Sequence, residues 1–186
     1  VITVEAPDTV LGDSAHVLTM EAEGGLPGAQ VGYKMRSWVE RTRFSSRRFY
    51  TTAIQSGTAY ERRYIIRGDS LRYREEGSHT DLEGAADGLD ELAMLYYLRT
   101  LNIASGDSVV LQRYFKKNYN PVTVHMLGHQ PVTGSDGVVR PCLVYRINAI
   151  GSNTTLWLTE DARRVPAQVE IPLGTYVVTL TWDGRG

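Results

Sequence analysis

Cysteine is almost absent from this chain: Cys142 stands alone. A single thiol excludes an internal disulfide and any cysteine-rich zinc site, and it does not locate the redox compartment. Long apolar runs are missing too, since none approaches the roughly 20 residues that a membrane-spanning helix needs. Neither sign of charge dominates: 20 Lys and Arg stand against 21 Asp and Glu. The chain therefore has no global attraction for nucleic acid or for an anionic membrane. No secretory leader is visible; the chain opens on Val1, without a methionine, and runs straight into an alternating pattern, as a mature or trimmed form would. What is present is ordinary: 186 residues, 42% hydrophobic and 22% charged. That is enough for one β-rich domain over residues 1–186 whose core needs neither metal nor disulfide.

Strand patterns dominate. Val17–Glu21 is short and apolar. In Tyr33–Val39, Tyr33, Met35 and Val39 alternate with Lys34, Arg36 and Glu40, the period of two that marks a half-buried strand. Arg48–Ile54 and Ala59–Arg67 form a predicted hairpin around Ser56-Gly57, followed by Ser70–Arg74 after a Gly68-Asp69 turn. The second half predicts strands at Ser108–Lys116, Val122–Leu127, Cys142–Ala149, Thr154–Thr159, Ala167–Ile171 and Thr175–Trp182. Turn residues separate them at Asn118–Pro121, Gly134–Gly137, Gly151–Asn153 and Pro172–Gly174. One segment breaks the pattern. Leu89–Leu101 reads as a helix with Asp87 as its N-cap, apolar around most of its circumference and hence buried. The fold class is mainly β: an antiparallel, strongly curved sheet or an up-and-down barrel, with one buried helix over about residues 89–101.

Charge is unevenly placed. Lys34–Arg74 holds eleven Lys and Arg against three acidic residues, whereas Glu75–Glu91 holds seven acidic residues and no Lys or Arg. Two readings stand: a basic surface for a polyanion such as lipid headgroups or nucleic acid, or the solvated outer face of a sheet paired with the adjacent acidic loop.

Each candidate for chemistry has a structural counterpart. Gly68-Asp69-Ser70-Leu71 spells the nucleophile block of one lipase and esterase family, which needs a strand-to-helix turn and a later histidine. Here Ser70 lies between two strands, and the only Asp-x-x-His spacing, Asp13 to His16, precedes it. Gly-Asp-Ser recurs at Gly12–Ser14 and Gly106–Ser108, where turns are wanted. His125 and His129 would share one face of a helix as zinc ligands, but Gly128 and Pro131 argue against a helix. Cys142 begins an apolar strand, where a buried thiol is commonplace. Gly24-Gly25 with Gly28 lacks the lysine and helix of a phosphate loop, and Asn153-Thr154-Thr155 is a glycosylation sequon by spelling only. Arg67-Gly68-Asp69 spells an integrin-binding tripeptide, too short to weigh. No catalytic residue, metal ligand, ligand-binding residue or cofactor is assigned.

The run Leu156-Trp157-Leu158-Thr159-Glu160-Asp161-Ala162-Arg163-Arg164 is similar to the W-L-[ST]-[DE]-D-x-x-R block of the bacterial domain-of-unknown-function family 3108. Leu95-Tyr96-Tyr97-Leu98-Arg99 resembles that family's helix, and Arg113-Tyr114-Phe115 with Asn120-Pro121-Val122 the strands after it. Ser37-Trp38-Val39 and Ser46-Arg47-Arg48-Phe49 resemble its early strands, and Leu173-Gly174-Thr175-Tyr176 its close. The ordered blocks run from about Tyr33 to Leu180. The family's opening Gly-Glu-x-Leu-x-Tyr strand has no counterpart, so the N-terminal edge is expected to be incomplete or rebuilt. The resemblance implies an exported protein, periplasmic or on the outer-envelope side, with no established activity. Two functions fit: a non-catalytic envelope β-domain binding a lipid or other hydrophobic ligand, or a structural subunit docking on a larger, membrane-bound assembly. A serine hydrolase using Ser70 is the remote third.

Overall fold

The computed structural model describes residues 2–26, 29–55, 58–149, 152–173 and 176–182. The turns expected at Ser56-Gly57, Gly151 and Gly174, and the glycine Gly28, lie outside the described residues. Among the described residues, two antiparallel sheets hold the larger part of the chain. The first holds β1 (Ile2–Val10), β2 (Asp13–Leu26), β3 (Ala29–Glu40), β4 (Ser45–Gln55), β5 (Thr58–Arg67), β6 (Arg72–Glu75) and β7 (Leu82–Glu83), in that spatial order. The second holds β8 (Ser108–Leu111), β9 (Val122–Thr133), β10 (Val139–Ala149), β11 (Ser152–Thr159), β12 (Pro166–Leu173) and β13 (Tyr176–Thr181), again in sequence order. The one α-helix among the described residues is α1 (Glu91–Leu98).

The up-and-down order matches the expectation from sequence, but barrel closure does not occur among the described residues. β1 and β7 pair on one side only, as do β8 and β13. Contacts divide the chain into two compact units. One is the first sheet with the residues through Tyr96 and Arg113–Asn118; the other is the second sheet with Tyr97–Gln112.

In the first unit, register places Leu18, Ser37, Phe49 and Tyr64 opposite one another on a single face, with Ile66 and Tyr73 beside them. Their apolar members are buried, and Phe115 completes an aromatic cluster with ring centroids 5.2 Å from Tyr64 and 5.2 Å from Tyr73. Phe115 does not belong to the strand expected at Ser108–Lys116. That strand ends at Leu111, because Arg113–Lys116 is drawn into the first unit: Tyr114 bridges Leu89, and Lys116 bridges Gly84. The Arg113 guanidinium secures the crossing by donating to the Asp87 and Phe44 carbonyls. Backbones approach so closely that a Cβ on Gly88 would lie 2.8 Å from Phe115 Cα.

In the second unit the sheet buries both faces. Val124, Met126, Tyr145, Ile147, Leu156 and Val169 share one face by register, and all are buried. The other carries Val132, Cys142, Val144, Trp157 and Ala167 as a second apolar cluster, with the Trp157 indole donating to Gln130 Oε1 at 3.2 Å. The alternation of Trp157 with Leu156 and Leu158 therefore buries side chains on both faces of the sheet.

The helix is shorter than the 89–101 span expected. Its N-cap is Asp90 and not Asp87: the Asp90 carboxylate accepts the backbone N–H of Leu92 (3.0 Å) and Ala93 (2.9 Å). Leu89 is held outside the helix by its bridge to Tyr114. Burial is as its composition requires, since Leu92, Ala93, Met94, Leu95 and Leu98 are all buried.

Candidate functional site

The structure scatters the candidate catalytic residues into separate structural roles. Gly68-Asp69-Ser70-Leu71 is a tight turn after β5, and the Ser70 hydroxyl donates to the Arg67 carbonyl at 3.4 Å. Neither the strand-to-helix turn nor an imidazole contact that a serine nucleophile needs is found there among the described residues. Asp13 pairs with Arg47 at 3.2 Å, and Asp69 approaches the same guanidinium at 3.8 Å, so two of the three Gly-Asp-Ser segments share one cation. Asn153 is an exposed residue of β11, and Gly24-Gly25 lies within β2, so no helix follows it.

Both candidate zinc histidines fall on β9, where a bulge separates them. His125 pairs with Arg146 and His129 with Leu143, because Gly128, at φ 136, sits at a shift of register. Arg146 and Leu143 point to opposite faces of the sheet, and so do the two imidazoles. His129 Nδ1 instead meets Glu160 Oε1 at 2.9 Å. Cys142 is fully buried in β10, and burial pushes its thiol above the ordinary range. A thiol held protonated in this way is a packing group.

The basic stretch meets the acidic segment expected beside it. Arg48 pairs with Glu76, Arg67 and Arg74 share Asp81, and Arg43 approaches Asp87. Lys34 and Arg36 find Glu21 and Glu5 on neighbouring strands. These residues, with Thr3, Thr19 and Tyr50, line an open groove of ≈ 390 Å³ on the polar face of the first sheet. Beside it the Arg36 and Arg48 guanidiniums lie 4.8 and 5.5 Å from the Trp38 ring centroid. The Trp38 indole donates to Asp8 and holds that carboxyl below its ordinary range.

The W-L-T-E-D-x-x-R run acts as a clamp within the second unit. Asp161 Oδ1 accepts the Thr159 hydroxyl and the backbone N–H of Arg163 and Arg164, closing the turn. Burial works against its charge, yet the hydrogen bonds from Thr159 and Arg163 outweigh it and hold the carboxyl low. Arg164, in the left-handed region at φ 45, donates to the carbonyls of Arg99 and Leu101 just past the helix. Arg99 answers by donating to the Arg163 carbonyl at 2.5 Å. The motif thus ties down the segment that leaves the helix, whose own last carbonyls, of Tyr97 and Leu98, are met by the N–H groups of Thr100 and Leu101.

Sequence reasoning missed a buried polar centre in the first unit. Asp90 is fully buried; it accepts the Ser37 hydroxyl at 2.5 Å and donates its backbone N–H to Ser46 Oγ at 2.9 Å. Burial pushes its carboxyl up to about 7 against those hydrogen bonds. The only trace in the sequence is an Asp directly before an apolar helix.

The same sheet face that packs the core continues outward as an apolar row. Ala22, Tyr33, Ala53 and Tyr60 stand opposite one another on four consecutive strands, next to the row Met20, Met35, Thr51 and Arg62, whose last member brings a charge to the exposed end of β5. Ala22, Tyr33, Met35 and Ala53 are half-buried, whereas Tyr60 is 59% exposed.

These features define a class: among the described residues, two antiparallel meander sheets and one short α-helix, with the W-L-T-E-D-x-x-R run devoted to a turn and its contacts. Residues 2–181 match a family described as a protein of unknown function, DUF3108, and the chain belongs to that family. The match begins at β1, well before the blocks legible in sequence. Among solved structures, the chain is similar to a DUF1089 family protein from Pseudomonas aeruginosa, determined at 1.80 Å. The two are 13% identical, with 94% of this chain and 89% of that one covered at a TM-score of 0.47. No curated protein matches.

Proposed function

We propose that this protein is a non-catalytic module of the bacterial cell envelope that takes a lipid or other hydrophobic molecule on the outer part of the apolar face of its first sheet. The observation that carries the reading is the row Ala22, Tyr33, Ala53 and Tyr60, apolar and continuous with the core yet partly uncovered. An apolar surface left open on a folded chain marks a place where something binds. The opposite face supports the same choice, because Lys34, Arg36 and Arg48 are already paired with carboxylates and leave a polyanion little to engage. The envelope location rests on what the family resemblance implies. The non-catalytic part rests on the turn role of Ser70, the burial of Cys142 and the opposed faces of His125 and His129.

The test is titration with a fluorescent long-chain fatty-acid analogue. Binding in the micromolar range is expected, weakened about tenfold in Tyr60→Glu, a change of about 1.4 kcal/mol. The thermal midpoint should hold, because Tyr60 is exposed. Absence of binding, or equal binding by the variant, removes the reading. Ester hydrolysis that disappears in Ser70→Ala would show the protein to be an enzyme.

A further inference from the structure

The four sheet edges are not equivalent. β1 carries Pro7, a break of register between Glu5 and Asp8, and the two carboxylates themselves. Those are the devices by which natural edges refuse a partner strand: a missing donor, a bulge and charge. β7 and β8 are protected by their brevity, at two and four residues. β13 has none of these. It runs six residues, Tyr-Val-Val-Thr-Leu-Thr, with no proline and no charge, and among the described residues it pairs with β12 alone. Val177 is 61% exposed, and Thr179 and Thr181 are exposed as well. Such a strand presents unpaired N–H and C=O groups on a side chain set rich in β-branched residues, a template for strand addition.

We propose that β13 pairs antiparallel with β13 of a second copy of this chain, about a two-fold axis at Thr179, so that two second sheets become one continuous sheet. The sequence of the strand favours itself as partner. With Thr179 opposite its own mate, Val178 faces Leu180 and Val177 faces Thr181. Every facing pair is then apolar or β-branched, and no like charges meet. A partner of different chemistry would find no charge on β13 to recognise. The two-fold arrangement also uses each β13 edge once and leaves none to propagate, which closes the assembly at two.

The experiment is sedimentation equilibrium of the full chain with charge variants at the facing positions. The wild type should sediment at about twice the 20.7 kDa chain mass. Val177→Lys with Thr181→Lys places two like-charged pairs across the axis, as does Val177→Glu with Thr181→Glu. Each double variant alone should sediment as a single chain. Their equimolar mixture should regain the doubled mass, because Lys then faces Glu. All four side chains replaced in a dimer are solvent-facing, and far-UV circular dichroism should confirm unchanged strand content. A wild type that stays a single chain at about 100 µM, well above micromolar affinity, overturns the proposal. So do double variants that remain dimeric, or a mixture of folded variants that fails to associate.

Discussion

Asp90 offers the most direct test of the fold's internal electrostatics. Its carboxylate is fully buried, caps α1 through Leu92 and Ala93, and is raised to about 7 chiefly by burial. A carboxyl with a folded value above its unfolded value costs nothing in acid, where both states are protonated. The cost grows as pH rises from about 4 to 7 and is constant above, because only the unfolded chain ionises freely in that window. Asp90→Asn keeps an oxygen for the cap and removes the charge. Taking the folded value as about 7 against the ordinary 3.8, the variant should gain on the wild type by roughly 2–3 kcal/mol between about pH 5 and pH 8. The difference between the two proteins isolates Asp90, because carboxylates held low, such as Asp136 at about 2, contribute equally to both. Asp90→Ala, which strips the cap, should fall below the wild type by about 1–2 kcal/mol at the acid end. Urea denaturation at a series of pH values supplies the numbers. A difference between the Asp90→Asn variant and the wild type that stays flat with pH would refute the reasoning, since it would mean that Asp90 ionises as easily folded as unfolded.

Two further outcomes follow from the contacts. Arg164→Ala removes charge-assisted hydrogen bonds to the Arg99 and Leu101 carbonyls and should cost about 1.5–3 kcal/mol, seen as a lower thermal midpoint and faster amide exchange near the end of α1. The pairing of Arg43, Arg48, Arg67 and Arg74 with the acidic segment predicts no binding to anionic vesicles even at low salt; flotation with such vesicles would show the contrary.

Strands are legible in the sequence where one face is wet. Tyr33–Val39 alternates because Lys34 faces solvent while Tyr33, Met35 and Ser37 continue toward the core. The long extension of β2 is not legible: Gly24-Gly25 shows no alternating pattern and invites comparison only with a phosphate loop, yet it is paired to β3. Ser108–Lys116 reads as one strand because its pattern does not reveal that Arg113 anchors to the Asp87 carbonyl and turns the chain into another unit. The helix shows in its composition, but the sequence places its cap three residues early. Asp87 and Asp90 are both good caps, and only Ser37 and Ser46, far away in sequence, favour the second. The ion pairs between the basic stretch and the acidic segment are visible as a block of one sign beside a block of the other. The apolar row cannot be seen, because it needs the registers of four strands at once.

The sequential strand order of both sheets has a consequence for how the chain folds and how it varies. Every strand pair among the described residues joins neighbours in sequence, so each hairpin closes a short loop at little entropic cost. Growth can then proceed outward from any hairpin, and no strand has to be threaded between two already paired. An end strand can be exchanged, lengthened or bulged without altering the register of the strands inside it. β1, with its proline and its broken register, is where such drift is cheapest, and a family built this way can keep its inner strands while rewriting its border.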